Sequence, residues 1–188
     1  VDYTPETDFE GNITVSVKSA SFTDLAGNNF AAASPTETLQ VDTLAPTISI
    51  AADDANLSIG ETATLTFTLS EASDDFSAND ITISGGNLTN FAGNGGSYTA
   101  TFTPDADFEG NVTVSVAGGE FTDAFANPND PSSNLTLAVD TKAPTATLSS
   151  DTDPVNGSQS ATINITLSEP SADFDFADLT AENGTLNA

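Results

Sequence analysis

Apolar and polar residues alternate strictly through much of the chain. Leu65, Phe67 and Leu69 alternate with Thr64, Thr66 and Thr68, and Val112, Val114 and Val116 with Thr113 and Ser115. The same period of two recurs in Ile81/Ile83, Tyr98/Ala100/Phe102 and Leu135/Leu137/Val139. Successive side chains of a strand point to opposite faces, so this pattern predicts strands with one face in a core and a Thr/Ser-rich face outside it. Ile48/Ile50 and a short segment near Leu88 bring the total to about seven strands between residues 44 and 141. Gly, Asn, Asp or Pro clusters separate them, and no segment carries a 3.6-residue period. The chain is predicted to be all-β.

Sliding the sequence along itself by 98 or 99 residues aligns it from end to end. "TPETDFEGNITVSV" (4–17) lies over "TPDADFEGNVTVSV" (103–116), and "FTDLAGN" (22–28) over "FTDAFAN" (121–127). "ATLTFTLSEASDDF" (63–76) lies over "ATINITLSEPSADF" (161–174), and "QVDTLAPTIS" (40–49) over "AVDTKAPTAT" (138–147). The register assigns residues 44–141 to one complete repeat, 1–43 to the C-terminal part of a preceding one and 142–188 to the N-terminal part of a following one. Seven short strands in roughly 100 residues is the pattern of an immunoglobulin-like sandwich, here in tandem. A window cut from a longer array accounts for the two partial repeats; half-repeats completing each other between chains is the alternative.

Composition narrows the chemistry. The 188 residues include 28 Asp+Glu against 2 Lys+Arg, a formal charge of −26, with no His, Cys, Met or Trp. Such a chain cannot neutralise phosphates, so nucleic acid is not an expected partner, and no apolar run is long enough to suggest membrane insertion. Thiolate and imidazole chemistry are excluded, as is a Ser-His-Asp arrangement. Paired carboxylates could suggest glycoside hydrolysis. Here, however, the acids sit at loop ends and repeat with the fold unit, which points to architecture; no enzyme activity is expected. A sugar- or ice-binding face is disfavoured because the Phe residues fall mostly at core-parity positions and the Thr residues on ordinary strand exteriors.

The phrases from "LTFTLSEASDDF" through "DADFEGNVTVSV" to "VDT" and "AP" resemble the bacterial Ig-like repeats of giant type-I-secreted, RTX-type adhesins. The resemblance implies an extracellular extender at a bacterial surface, built of tandem sandwiches and commonly stiffened by calcium. "FTDAFAN" departs from the more usual Asp-x-Ala-Gly-Asn loop that "FTDLAGN" keeps, so a different loop geometry is open at Asp123 and Asn127.

In such a sandwich the loops after the second and sixth strands lie at the leading end, and the loop before the sixth strand lies beside the outgoing linker. Acids from two repeats should therefore gather at each junction. The first junction would draw on Asp8, Glu10, Asp42, Glu71, Asp75 and Asp123. The second would draw on Asp105, Asp107, Glu109, Asp140, Glu169 and Asp173. Converging carboxylates repel unless a cation sits among them. An all-oxygen donor set favours Ca2+ over zinc or copper. The arrangement resembles cadherin junctions. The expected partners are neighbouring repeats of the same chain, or identical chains if the protein is instead a self-assembling filament, matrix or surface-layer subunit.

Overall fold

The computed structural model describes residues 1–18, 21–30 and 36–187. These fall into two compact units, Val1–Thr141 and Lys142–Ala188, and each is described by itself.

The strands between residues 48 and 140 form a β-sandwich. Three elements make one sheet in the order β3 (Ile48–Ala52), β5 (Ala63–Ser73), β7 (Gly86–Pro104). Four make the other, in the order β4 (Asn56–Leu57), β9 (Leu135–Asp140), β8 (Glu109–Val116), β6 (Ile81–Ile83). The chain crosses between sheets early: β3 pairs antiparallel with β5, whereas β4 pairs parallel with β9. The alternation predicted from sequence is the alternation observed. Leu65, Phe67, Val112, Val114 and Leu137 are fully buried, while Thr64, Thr68 and Thr113 between them are exposed. One apolar cluster joins both sheets, with Phe76 at its leading end between Phe67, Phe91, Tyr98 and Phe121, at ring-centroid distances of 5.1–5.8 Å.

One expectation was too simple. The segment near Leu88 and the Tyr98/Ala100/Phe102 segment are two limbs of the single element β7. The chain doubles back between them: Asn90 Nδ2 donates to Thr101 Oγ1, and a Cβ at Gly93 would lie 2.3 Å from the Ser97 carbonyl oxygen. Gly93, at φ +146, is the residue that permits this approach.

Preceding the sandwich, β1 (Glu10–Ser16) and β2 (Thr36–Asp42) pair antiparallel, with Glu10 opposite Asp42. In the sandwich, β8 and β9 repeat that register, with Glu109 opposite Asp140. The second unit contains β10 (Ala146–Ser150) and β11 (Ile163–Leu167), paired antiparallel as β3 and β5 are. There is no α-helix among the described residues, and hence none long and apolar enough to cross a membrane.

Candidate functional site: a carboxylate cluster at the first junction

The linker Asp42–Pro46 is held on both sides. On the β1/β2 side, Thr43 Oγ1 donates to the Glu6 carbonyl at 2.7 Å and accepts from Phe9 N–H at 3.0 Å, while Thr43 N–H donates to the Phe9 carbonyl. Thr141 makes the same three bonds to Asp105 and Phe108, so the Thr of the recurring Asp-Thr phrase clamps the Asp-Phe-Glu-Gly loop to the strand end. On the sandwich side, Thr47 N–H donates to Ser70 Oγ, Ser70 N–H to the Thr47 carbonyl, and Asp130 N–H to the Pro46 carbonyl. Pro46 itself is buried, with its φ fixed by the ring.

Three of the anticipated acids meet there. Single carboxylate oxygens of Asp42, Glu71 and Asp123 lie within 4.8 Å of one another, drawn from the linker, β5 and the loop after β8. Glu71 reaches the group because it keeps the inward parity of β5: Leu69 and Ser73 are buried and Glu71 half-buried, while Ser70 and Ala72 are exposed. Asp42 is oriented by an Asx turn, its Oδ1 accepting from Leu44 N–H at 3.0 Å. Asp123 is buried and anchors its own loop: Oδ1 accepts from Phe125 and Asn127 N–H, and Oδ2 from Asn127 Nδ2.

The electrostatics single out Glu71. Burial raises its pKa above the ordinary value, and the Asp42, Asp123 and Glu10 carboxylates raise it further by repulsion. Its Oε1 is a buried oxygen with no hydrogen-bond partner. Asp123 lies the other way. Burial opposes its ionisation, but the donors on Asn127, Phe125 and Ala126 outweigh that and lower its pKa. In calcium-free protein a proton on Glu71 is held in the folded state and released by the unfolded chain. Stability should therefore fall as pH rises above 4.5 through the raised folded value. Glu71→Gln should flatten that part of the pH profile of urea unfolding in chelator; an unaltered slope would show that another group carries it.

The other anticipated acids sit elsewhere. Glu10 faces Asp42 across the strand pair and adds charge, but lies outside the close group of three. Asp8 and Asp107 occupy matching turn positions at φ 54° and 55°, a left-handed conformation that Asp tolerates better than most residues. Asp75 staples two loops: its carboxylate accepts from Ser73 Oγ at 2.6 Å and from Thr122 N–H and Oγ1, each at 3.0 Å. Burial opposes ionisation of Asp75 too, yet these donors hold its pKa below the ordinary value. Asp173 accepts from Ser171 Oγ in the same way within its own unit. Asp105, Asp107, Glu109 and Asp140 belong to the first unit, and Glu169 and Asp173 to the second.

Despite its altered sequence, "FTDAFAN" keeps the loop of "FTDLAGN". Asp24 accepts from Ala26 N–H, Asn28 N–H and Asn28 Nδ2, bond for bond as Asp123 does. What changes is the conformational cost: Ala126 sits at φ 66°, where its counterpart Gly27 sits at 86°. Ala126→Gly should therefore stabilise the sandwich by about 0.5–1 kcal/mol, since relief of left-handed strain exceeds the added chain entropy. A lower urea midpoint for that variant would contradict this reading.

The donor chemistry suits calcium. Oxygens bound to one calcium ion lie no farther apart than about 4.6–5.2 Å, twice the Ca–O distance, and the three oxygens, all within 4.8 Å of one another, are compatible with that limit. An unpartnered buried carboxylate oxygen beside two others is the state that a shared cation would relieve. The bacterial Ig-like domain family matches residues 42–139 and again residues 140–188. The chain belongs to that family. Its matched segments begin within the recurring Val-Asp-Thr phrase, at Asp42 and Asp140. Bacterial Ig-like domains are typically non-enzymatic and commonly belong to extracellular or surface-exposed structural proteins. No curated protein and no solved structure gave a significant match.

Proposed function

We propose that the chain is part of an extracellular extender of a bacterial adhesin or surface fibre, whose Ig-like repeats are locked to one another by calcium. The observation carrying this reading is the convergence of Asp42, Glu71 and Asp123 from two repeats around a buried, unpartnered Glu71 oxygen. Asp42, Glu71 and Asp123 would hold the ion through carboxylate oxygens, with Glu10 adding charge close by. Bound calcium supplies the positive charge that these acids otherwise lack. The chain's own part is to present them from bonded supports: the Thr43 clamp, the inward face of β5 and the Asp123 loop.

Function then follows from stiffness. A sandwich with a single closed core is a rigid bead, and a joint whose carboxylates are neutralised keeps a set angle. Without the ion, a chain of formal charge −26 repels itself at every acidic cluster. Small-angle scattering at low ionic strength should show a smaller spread of conformations with calcium than with chelator. An identical maximum dimension and flexibility in the two conditions would remove the basis for calcium locking.

A further inference from the structure

The joint contains a tie that needs no metal. The two amide hydrogens of Asn127 point at two repeats: Nδ2 donates to the linker carbonyl of Asp42 at 3.2 Å and to Asp123 Oδ2 at 2.8 Å. Asn127 is partly buried and is itself held in the loop, its N–H donating to Asp123 Oδ1 and its carbonyl accepting from Asp123 N–H. One side chain thus fixes the main chain beside one cluster carboxylate and the carboxylate group of another. Its counterpart Asn28 makes the same bonds to Asp24, so the loop's own bonds recur in both copies. The bond to Asp42 is an addition to the loop, made where a linker runs past it.

We propose that Asn127 is the positioning residue of the junction, clasping the incoming linker and setting the separation of Asp42 and Asp123 before any ion binds. The inference rests on the array reading above, but the clasp does not depend on calcium. The linker is already tied to the preceding strands by Thr43 and to the sandwich through Pro46 and Thr47. Asn127 adds the side-chain bond that joins the Asp42 main chain to the loop carrying Asp123. Loss of its amide should loosen the joint in chelator and weaken calcium binding, as loss of a partner that orients a metal ligand does.

The chain has no cysteine, so Thr38→Cys and Thr99→Cys give unique labels on exposed strand positions in the two repeats. Pulsed electron-spin distance measurements in chelator should give one distribution for the parent protein and one about twice as wide for Asn127→Ala. Asn28→Ala, which disturbs the equivalent loop, should leave the width unchanged, and circular dichroism should confirm that both variants are folded. Calorimetric titration should show the calcium Kd weakened roughly 10-fold by Asn127→Ala. Coincident distributions in chelator for parent and Asn127→Ala, or equal broadening by Asn28→Ala, would overturn the clasp. A parent protein that binds no calcium, yet broadens on Asn127→Ala, would leave the clasp standing and remove the calcium reading instead.

Discussion

Calcium at a free concentration one hundred times its Kd is expected to add about 2.7 kcal/mol to the stability of the folded chain. For a protein of this size that corresponds to a rise of about 5–10 °C in the unfolding midpoint of the unit holding the junction. Glu71→Gln combined with Asp42→Asn should abolish the rise. These substitutions keep size and oxygen acceptors, including the Asx turn from Asp42 to Leu44, while removing two of the three converging charges. In chelator the same double variant should be at least as stable as the parent, because it relieves the burial and repulsion that hold the Glu71 pKa up. Scanning calorimetry with calcium and with chelator reads both effects. An equal calcium shift in parent and variant would place the stabilising ion elsewhere.

Phe67→Ala should have the largest effect of any single substitution in the sandwich, a loss of about 3–5 kcal/mol. Phe67 is completely buried on β5, the central strand of its sheet, and its ring lies 5.8 Å from that of Phe76. Phe76 in turn meets Phe91, Tyr98 and Phe121. The cavity therefore opens where both sheets and the leading-end loops share one core, next to the end of β5 that carries Glu71 and the loop that carries Asp123. Against a typical domain stability of about 5–15 kcal/mol, that loss is a large fraction. Thr68→Ala, one position on and exposed, should stay within about 0.5 kcal/mol. Urea midpoints at constant slope separate the two; similar shifts would contradict the assignment of faces.

Much of this was legible in the residues because the physics behind it is periodic. Alternation along Leu65–Leu69 and Val112–Val116 names the buried face, and the repeat fixes where the linker lies, so the sandwich and the convergence of Asp42, Glu71 and Asp123 could both be anticipated. What stayed hidden depends on which oxygen meets which donor. Asp75 looks like Glu71 in sequence, an acid just past a strand, yet its carboxylate is turned to Ser73 and Thr122 and lies outside the group of three. Glu71 is set apart by lying on the inward parity of β5, two residues past Leu69. Recurrence did offer clues to the rest. Thr43 and Thr141 repeat with the linker, Ser73 and Ser171 precede their Asp by the same two residues, and Asn28 and Asn127 keep their place although the loop between changes. Residues retained between two copies mark shared bonds, and they include the three converging acids, whose counterparts are Asp140, Glu169 and Asp24.

The central claim is that an ion shared by two repeats sits among three named carboxylates, and diffraction from crystals grown with calcium tests it most directly. At a wavelength chosen for calcium, the account predicts an anomalous peak about 2.3–2.6 Å from oxygens of Asp42, Glu71 and Asp123, with the Asp75 carboxylate still on Thr122. Calcium-grown crystals with no peak at that cluster, or with the ion on Asp75 and Asp8 instead, would contradict it.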